Sequence, residues 1–270
     1  MDRLKNKVAA VTGGGGGIGR ACAKFFGAEG AAVVVTDLIP EMAEKVAKEI
    51  RDEGGQAIGL KVDAGEEADL KAMVDATISE FGRIDVLLNN AADTASPQTS
   101  AKDRDFLTYD TEVFYRRFRI NTLSGVLACK FSLPHMLKQG AGSIIWTTST
   151  SSTAGEVYGC TYGATKAAVN WFTQAIAANY GKEGIRSNGI MPGAMVTEAQ
   201  QGWSSPEMDK ALLEIQNVPR LGLPEDIAHM AVFLASDESL YCNGSIYQVN
   251  GGMTCITPMV PIARKFFPKK

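Results

Sequence analysis

The sequence has few cysteines and histidines, which limits the metal and redox chemistry that it can carry. Its 270 residues include five cysteines and two histidines. The cysteines are scattered, odd in number and without the spacing of a metal site: Cys22, Cys129, Cys160, Cys242 and Cys255. We interpret them as reduced structural thiols and the lone His135 and His229 as structural residues, and we expect no metal.

An excess of basic charge and a long apolar run are also lacking. The formal net charge is −3, so the sequence gives no electrostatic footprint for a nucleic acid. No apolar run reaches membrane-spanning length, and the first residues lack the apolar region of a signal peptide. We therefore expect a cytoplasmic protein that binds neither nucleic acid nor membranes. With 45% hydrophobic and 21% charged residues it has an ordinary globular composition.

What the sequence does have is a run of glycines between a predicted strand and a predicted helix. Val8–Val11 is typical of a buried parallel strand, and Arg20–Gly30 has the pattern of an amphipathic helix. The connection Thr12–Gly19 would let its backbone approach a pyrophosphate, and a helix N-terminus favours that negative charge. A flexible linker is the alternative, but a linker would not join a strand to a helix so near the start of the chain. The order predicts a nucleotide site.

Asp37 ends the next predicted strand, Ala32–Thr36, eighteen residues beyond Gly19. An acidic residue at this point can accept hydrogen bonds from the adenosine ribose, and it repels a 2′-phosphate. No Arg or Lys occurs in residues 13–19 or 36–44, so a 2′-phosphate would have no counter-ion. The alternative is a solvated loop aspartate. The pattern favours NAD over NADP.

Short apolar strands and helices alternate along the rest of the chain. Further strands are predicted at Ala57–Val62, Val86–Leu88, Ser143–Thr148, Arg186–Ile190 and Ser245–Val249, and helices at Met42–Glu53, Glu67–Phe81, Thr111–Lys138, around Tyr162 and at Pro224–Ala235. The alternation predicts a single α/β domain with a Rossmann-like, doubly wound parallel sheet of about seven strands flanked by helices. Ligands of such sheets bind at the carboxyl ends of the strands. These ends carry Gly13–Gly19, Asp37, Asp63, Asn89 and Ser149.

Tyr162 and Lys166 lie four residues apart in a segment with helical spacing, and Ser149 lies thirteen residues before the tyrosine. Side chains at this spacing share one face of a helix. An ammonium held beside a phenol favours the phenolate and so lowers the tyrosine pKa, which suits proton exchange with an alcohol oxygen. Taken alone, the pair is a weak signal, because surface Tyr/Lys pairs at this spacing are common.

With these features combined, the sequence resembles the classical short-chain dehydrogenase/reductase family over nearly its whole length, Leu4–Gly252. The T-G-x-x-x-G-x-G motif of the family matches Thr12, Gly13, Gly17 and Gly19. Its N-N-A-G motif matches Asn89-Asn90-Ala91, with Ala92 in place of the last glycine, and its P-G motif matches Pro192-Gly193. Its catalytic tetrad matches Asn121, Ser149, Tyr162 and Lys166.

The resemblance implies hydride transfer between a nicotinamide and a carbinol or carbonyl carbon. Tyr162 would exchange the proton with the substrate oxygen, Ser149 would orient that oxygen, and Lys166 would bind the nicotinamide ribose and lower the tyrosine pKa. Asn121 would hold a water that links Lys166 to solvent. Cofactor contacts are implied for Gly13, Gly17, Ile18, Gly19, Asp37, Asp63, Ala64, Asn90, Ala91, Tyr162, Lys166, Pro192, Gly193, Met195 and Thr197, with Asp63 and Ala64 at the adenine and Thr197 at the nicotinamide amide.

Two segments stand apart from this pattern. Glu198–Asn217 is less regular and follows a strand end, so we expect it to act as a substrate lid within a domain of residues 1–252. The tail, residues 253–270, is apolar and then basic; we expect a loosely ordered terminus rather than a membrane-surface segment. The predicted pocket wall draws on Ala154–Cys160, Met195, the segment Trp203–Leu212 and the tail. Its apolar side chains are those of Tyr158, Met195, Trp203 and Met208.

The sequence therefore predicts an NAD-dependent oxidoreductase of a secondary alcohol, apolar or cyclic, such as a steroid, terpenoid or aromatic alcohol. The same apolar side chains could instead belong to the core or to a subunit interface. The alternatives are an NADPH-dependent ketone reductase and a nucleotide-sensing protein without turnover. By family resemblance the partners would be a small alcohol or ketone and further copies of this chain, as a homotetramer that joins the long Asn121 and Tyr162 helices.

Overall fold

A computed structural model describes residues 2–94, 101–157, 159–201 and 204–267. Seven strands form one parallel sheet in the order β3-β2-β1-β4-β5-β6-β7. Their bounds are β1 Val8–Val11, β2 Ala32–Asp37, β3 Gln56–Lys61, β4 Val86–Asn89, β5 Gly142–Thr147, β6 Ile185–Pro192 and β7 Ile246–Val249. The predicted single α/β domain with a doubly wound parallel sheet is confirmed.

The strand sequences explain why the sheet lies inside the molecule. Every residue of β1, β4 and β6 is buried, because helices cover both faces of the sheet. Side chains alternate between these faces along each strand. Ala9 and Val11 pack with α1 (Gly17–Ala28) into one apolar cluster, whereas Ala10 packs into a second cluster on the opposite face. Two clusters with a sheet between them make a three-layer structure.

The other helices occupy the two outer layers and the loops above the strand ends. They are α2 Pro40–Asp52, α3 Glu67–Phe81, α4 Thr111–Phe118, α5 Ser124–Gln139, α6 Cys160–Tyr180, α7 Glu198–Gln201, α8 Pro206–Glu214, α9 Pro224–Ala235 and α10 Met259–Phe266. The predicted bounds of α3 and α9 are confirmed to the residue. Pro224 begins α9 where a missing N–H costs nothing, and Gly82 ends α3 in a left-handed conformation.

The predicted helix Thr111–Lys138 is one helical segment, but it is not regular throughout. A π-helical turn at Arg119–Leu123 joins α4 to α5 and contains Asn121. Such turns are single-turn insertions that concentrate at functional sites. The irregularity therefore lies at a predicted site residue.

The expectation of a loosely ordered terminus is wrong for residues 259–267. The tail forms α10, and the Arg264 guanidinium donates hydrogen bonds to the carbonyls of Glu214 and Gln216 and to the Asn217 side chain, at 3.1, 3.0 and 2.5 Å. Because α8 ends at Glu214, its last carbonyl groups have no partner within the helix. A cationic side chain near a helix C-terminus can donate hydrogen bonds to such carbonyls. The tail is thus docked on the predicted lid. No helix within the described ranges has the length and apolar character to span a bilayer.

Candidate active site

The glycine loop after β1 is a close-fitting backbone cradle. A Cβ on Gly13 would approach the Ala91 Cα to 2.9 Å, and one on Gly19 would approach the Gly13 carbonyl oxygen to 2.0 Å. Gly13 and Gly17 also adopt positive φ, at 61° and 47°, which glycine alone adopts at no steric cost. The side-chain-free surface leads into α1, whose first N–H groups have no side-chain cap. Such a terminus is a ready anion site.

Asp37 lies directly beside this loop. Its carboxylate accepts hydrogen bonds from the Gly15 N–H at 3.0 Å and from the Ile39 N–H at 3.1 Å. The chain therefore holds an anionic group at the end of β2 within contact of the glycine loop. Asp63 lies at the end of β3, where its carboxylate accepts from the Gly65 N–H at 2.8 Å. The Arg119 side chain lies beside Gly65 as well, a neighbour that the sequence reasoning did not single out.

Asn90 fastens the loops that follow β1, β4 and β5. Its Nδ2 donates to the carbonyls of Thr12 and Gly13, at 3.2 and 3.0 Å, and its Oδ1 accepts from the Thr147 hydroxyl at 3.1 Å. The Thr12 hydroxyl accepts from the N–H groups of Asn90 and Ala91, at 2.9 and 3.1 Å. Ala92 has no left-handed φ, so the alanine fits this turn without strain.

Ser149, Tyr162 and Lys166 come together at the carboxyl end of β5. Ser149 begins a short 3₁₀ turn directly after that strand, and Tyr162 lies in the first turn of α6, within hydrogen-bonding reach of Ser149. The Lys166 ammonium is 5.7 Å from the centre of the Tyr162 ring and donates to the Thr147 carbonyl at 2.7 Å. The structure thus places the predicted serine, tyrosine and lysine in one site.

The expected lowering of the Tyr162 pKa by Lys166 is wrong in this structure. Burial raises the pKa of Tyr162, and the opposing hydrogen bond from Ser149 does not outweigh it. Lys166 is itself 3% exposed, and burial lowers its pKa to about 8. Loss of hydration disfavours the charged form of each group, and the prediction from charge alone left this out.

Asn121 connects the π-helical turn to the Tyr162 helix. Its Oδ1 accepts from the Asp93 N–H at 2.6 Å, and its Nδ2 donates to the Thr165 hydroxyl at 3.2 Å. A cavity of about 10 Å³ is lined by both Asn121 and Lys166, close to the least space that one water molecule needs. A water at this point would have polar partners in the Asn121 amide, the Lys166 ammonium and neighbouring side chains of the lining.

The segment after β6 reaches the glycine loop from the other side. The Thr197 methyl group lies beside Gly17, and the Thr197 hydroxyl accepts from the Gln200 N–H at 3.2 Å at the start of α7. A Cβ on Gly193 would meet the Asn250 carbonyl at 2.8 Å. Met195 is 8% exposed and its side chain packs in the core against Gly222, which agrees with the alternative of a core position rather than with a place in the pocket wall.

The remaining predicted pocket wall is largely open. Val157 and Met208 are 80% and 42% exposed. Tyr158 and Trp203 lie outside the described residues. Within the described ranges no group of three or more metal-ligating side chains is close enough to hold an ion. His229 packs edge-on against Phe25 with ring centres 4.9 Å apart, in agreement with a structural role.

Sequence reasoning missed a buried ion pair near the tyrosine. Asp103 and Arg117 are both 0% exposed and contact each other directly. The pair could have been found from spacing, because Val113, Arg117 and Asn121 recur at four-residue intervals and lie on one side of α4 and its π-helical turn. An arginine between a buried valine and a buried asparagine is itself expected to be buried.

Comparison with known proteins agrees with this arrangement. A family model described as enoyl-(acyl carrier protein) reductase matches residues 13–254. The 7alpha-hydroxysteroid dehydrogenase of Escherichia coli strain K12 is 35% identical over 250 residues, which are 93% of this chain and 95% of that protein. The meso-2,3-butanediol dehydrogenase of Serratia marcescens is 36% identical over 256 residues, 93% of this chain and 96% of that protein.

Solved structures give the same result. A 7 alpha-hydroxysteroid dehydrogenase complexed with NADH and 7-oxo glycochenodeoxycholic acid superposes with a TM-score of 0.87 at 35% identity. The match covers 93% of this chain and 95% of that chain.

Proposed function

The chain belongs to the classical short-chain dehydrogenase/reductase family, and we propose that it is an NAD-dependent oxidoreductase that interconverts a secondary alcohol and its ketone. The observation that carries the proposal is the meeting of Ser149, Tyr162 and Lys166 at the end of β5. The glycine loop after β1 is tied to the same strand end through Asn90 and Thr147. A proton-exchanging phenol and an anion cradle thus share one crevice.

The residues present fit a dinucleotide. The cradle at Gly13–Gly19 has no side chain that would fill it, and α1 directs uncapped N–H groups to the same place. Asp37 would accept from the adenosine ribose and exclude a 2′-phosphate. Further contacts are proposed for Ile18, Asp63, Ala64, Asn90, Ala91, Pro192, Gly193, Met195 through its backbone, and Thr197. The bound nicotinamide supplies the hydride acceptor for alcohol oxidation.

The chain's own groups would handle the proton. Tyr162 takes the hydroxyl proton of the alcohol, or returns it to a ketone, while Ser149 holds the same oxygen. The buried Lys166 holds the nicotinamide ribose and places its positive charge 5.7 Å from the Tyr162 ring. A water in the cavity beside Asn121 would carry the proton away from Lys166. Each of these roles is assigned to a group that lies in or beside the crevice.

For the substrate we propose a cyclic, apolar secondary alcohol, with hydroxysteroids as the first class to test. The similar proteins named above act on 7α-hydroxysteroids and on meso-2,3-butanediol, and both substrates are secondary alcohols. Their near-equal identity to this chain does not separate a large substrate from a small one. The exposed apolar side chains of Val157 and Met208, which belong to the predicted pocket wall, favour the larger one. The segment Glu198–Asn217 would close over it as a lid.

We propose that the protein is a homo-oligomer, a tetramer as is common in the family. An apolar groove of about 390 Å³ runs between α5 and α6, lined by Leu133, Pro134, Phe172 and Ile176 among others. Trp171 on α6 is 69% exposed. A second copy that presents the same two helices would cover this surface symmetrically. Light scattering of the purified protein measures the mass of the assembly directly.

Cofactor titration tests the proposed function without knowledge of the substrate. The protein should bind NADH in preference to NADPH. Nicotinamide fluorescence measures the binding of both. The Asp37→Ala variant should lower this preference by about 10-fold or more, because it loses a charged hydrogen-bond acceptor. NADPH preference in the wild type would contradict the role of Asp37. A panel of hydroxysteroids and 2,3-butanediol with NAD then distinguishes the substrate classes, and turnover of neither would contradict the proposed substrate class.

A further inference from the structure

Asp103 and Arg117 form a buried pair that is attached to the first turn of the Tyr162 helix. Both side chains are 0% exposed and in direct contact. The Asp103 carboxylate accepts from the Thr161 N–H at 3.0 and 3.2 Å and from the Thr161 hydroxyl at 2.8 Å. Thr161 directly precedes Tyr162 in the chain. The pair therefore fixes the residue next to the proposed base.

The carboxylate takes the place of a helix cap. Gly159, the residue before α6, has no side chain to bond the free N–H groups of the first turn. Asp103 supplies that acceptor from the loop before α4, and a negative charge at a helix N-terminus is favourable. Tyr109 from the same loop also contacts the Thr161 hydroxyl. Two side chains of one loop thus hold the start of α6.

The cap requires only the Asp103 carboxylate and not the Arg117 guanidinium. A buried pair is weak evidence for stability, since apolar replacements of similar volume are often tolerated. Two of the Arg117 nitrogens, Nε and Nη2, have no hydrogen-bond partner within the described residues. Arg117 also lies four residues before Asn121 and so on the same side of the helix. A buried cation with unused donors next to the tetrad needs an explanation other than packing.

The charges that face Tyr162 are few and opposed. Arg117 interacts favourably with the phenolate and Glu156 unfavourably, so the first lowers and the second raises the pKa of Tyr162. Lys166 adds its ammonium from the same helix, 5.7 Å from the ring centre. Asp103 and Asp93 offset part of the Arg117 charge. Burial disfavours the phenolate throughout, so each nearby cation counts.

We propose that Arg117, held by Asp103, is a positioning residue that fixes the first turn of α6 and places a second buried positive charge near Tyr162. The inference rests on the proposed function, because it concerns the base of that reaction. The Tyr162 phenolate is then stabilised by Arg117 of α4, in opposition to burial and to the Glu156 carboxylate. Neither Asp103 nor Arg117 matches a member of the catalytic tetrad.

The test compares three variants by the pH dependence of kcat/KM for alcohol oxidation. Arg117→Met alone leaves the Asp103 carboxylate buried and unpaired, so this variant can fail through misfolding. The double variant Asp103→Asn/Arg117→Met removes both charges but keeps an amide oxygen for the Thr161 N–H. It should remain folded, and its activity should rise at higher pH than that of the wild type. Glu156→Gln should move the same rise to lower pH.

An unchanged pH profile in the folded double variant would overturn the proposal, because a purely structural pair would not move it. A shift of the double variant to lower pH would overturn it as well. The ionisation of Tyr162 can also be followed without turnover, by NMR of tyrosine labelled at the ring carbon that bears oxygen, with Tyr162→Phe to assign the signal. If the wild type oxidises no alcohol, the proposed function fails, and this titration still decides the role of Arg117.

Discussion

The two sides of the crevice are held in different ways. On the cofactor side, the loop 13–19 is clasped by the backbone of neighbouring strands and by Asn90, with no room for a Cβ at Gly13 or Gly19. On the substrate side, the described part of the proposed lid is joined to the tail through Arg264, whose hydrogen bonds lie at exposed or half-buried positions. Few buried contacts and exposed hydrogen bonds mark a segment that opens at low free-energy cost. We therefore expect the first side to be rigid and propose that the second side moves.

The difference predicts the largest effect for Gly19→Ala on the cofactor side. The new Cβ would lie 2.0 Å from the Gly13 carbonyl oxygen and 2.6 Å from the Asn90 amide nitrogen, so backbone has to move. We expect a loss of about 3 kcal/mol or more in the free energy of unfolding and no measurable NADH binding. Urea unfolding and fluorescence titration provide the two readouts.

Gly16→Ala is the matched control in the same loop. Only the terminal methyl of Met42 comes within 4 Å of the added Cβ, at 3.4 Å, and the φ of Gly16 is −152°, which alanine can adopt. The loss should be within about 1 kcal/mol. Equal effects of the two substitutions would show that the loop is not a close-fitting element.

Lys166→Met should break the part of the site where the two sides meet. We expect kcat/KM to fall by about 10²-fold or more, because the ribose contact and the charge near Tyr162 are both lost. The free energy of unfolding, by contrast, should be higher in the variant than in the wild type at neutral pH. Burial lowers the Lys166 pKa from 10.5 to about 8, so the folded state releases a proton over this interval and the wild type gains stability as pH rises.

The cost of burying the Lys166 charge is thus fully present below pH 8 and is relieved between pH 8 and 10.5. The variant never bears this cost. Its stability relative to the wild type should be greater at pH 7 than at pH 10, by on the order of 2 kcal/mol. Lys71→Met, at an exposed lysine paired with Asp75, is the control. A flat difference for Lys166→Met would contradict the lowered pKa.

The cofactor side was also the more predictable from sequence. The residues of the cofactor side act through their backbone conformation. Glycines at fixed spacing after an apolar strand predict that conformation directly. The same holds for α9, where Pro224 marks the first turn. The start of α1 at Gly17 rather than Arg20 escaped the pattern, since glycine is a poor helix former and only the fold draws the loop into the first turn.

The wrong or missing predictions concern side chains whose burial and neighbours cannot be read from the sequence. Met195 was expected in the pocket wall, with the core as the alternative, and it lies in the core. Its apolar character alone could not separate the two positions. The pKa of Tyr162 was expected to fall, and burial raises it. Asp103 and Arg117 lie fourteen residues apart and reach the catalytic helix only in the folded chain. Such contacts are set by tertiary packing rather than by local spacing.

The smallest predicted effect tests the movable side. Arg264→Met removes the hydrogen bonds to the Glu214 and Gln216 carbonyls and to Asn217, each worth about 1 kcal/mol or less at an exposed position. We expect the free energy of unfolding to change by no more than about 1 kcal/mol, while KM for the alcohol rises about twofold to fivefold because the lid is less well held. NADH binding should not change. Lys265→Met, which breaks only a surface ion pair with Glu214, is the control. If Arg264→Met weakened NADH binding as much as alcohol binding, the tail would support both sides of the crevice, and the division between a fixed and a movable side would fail.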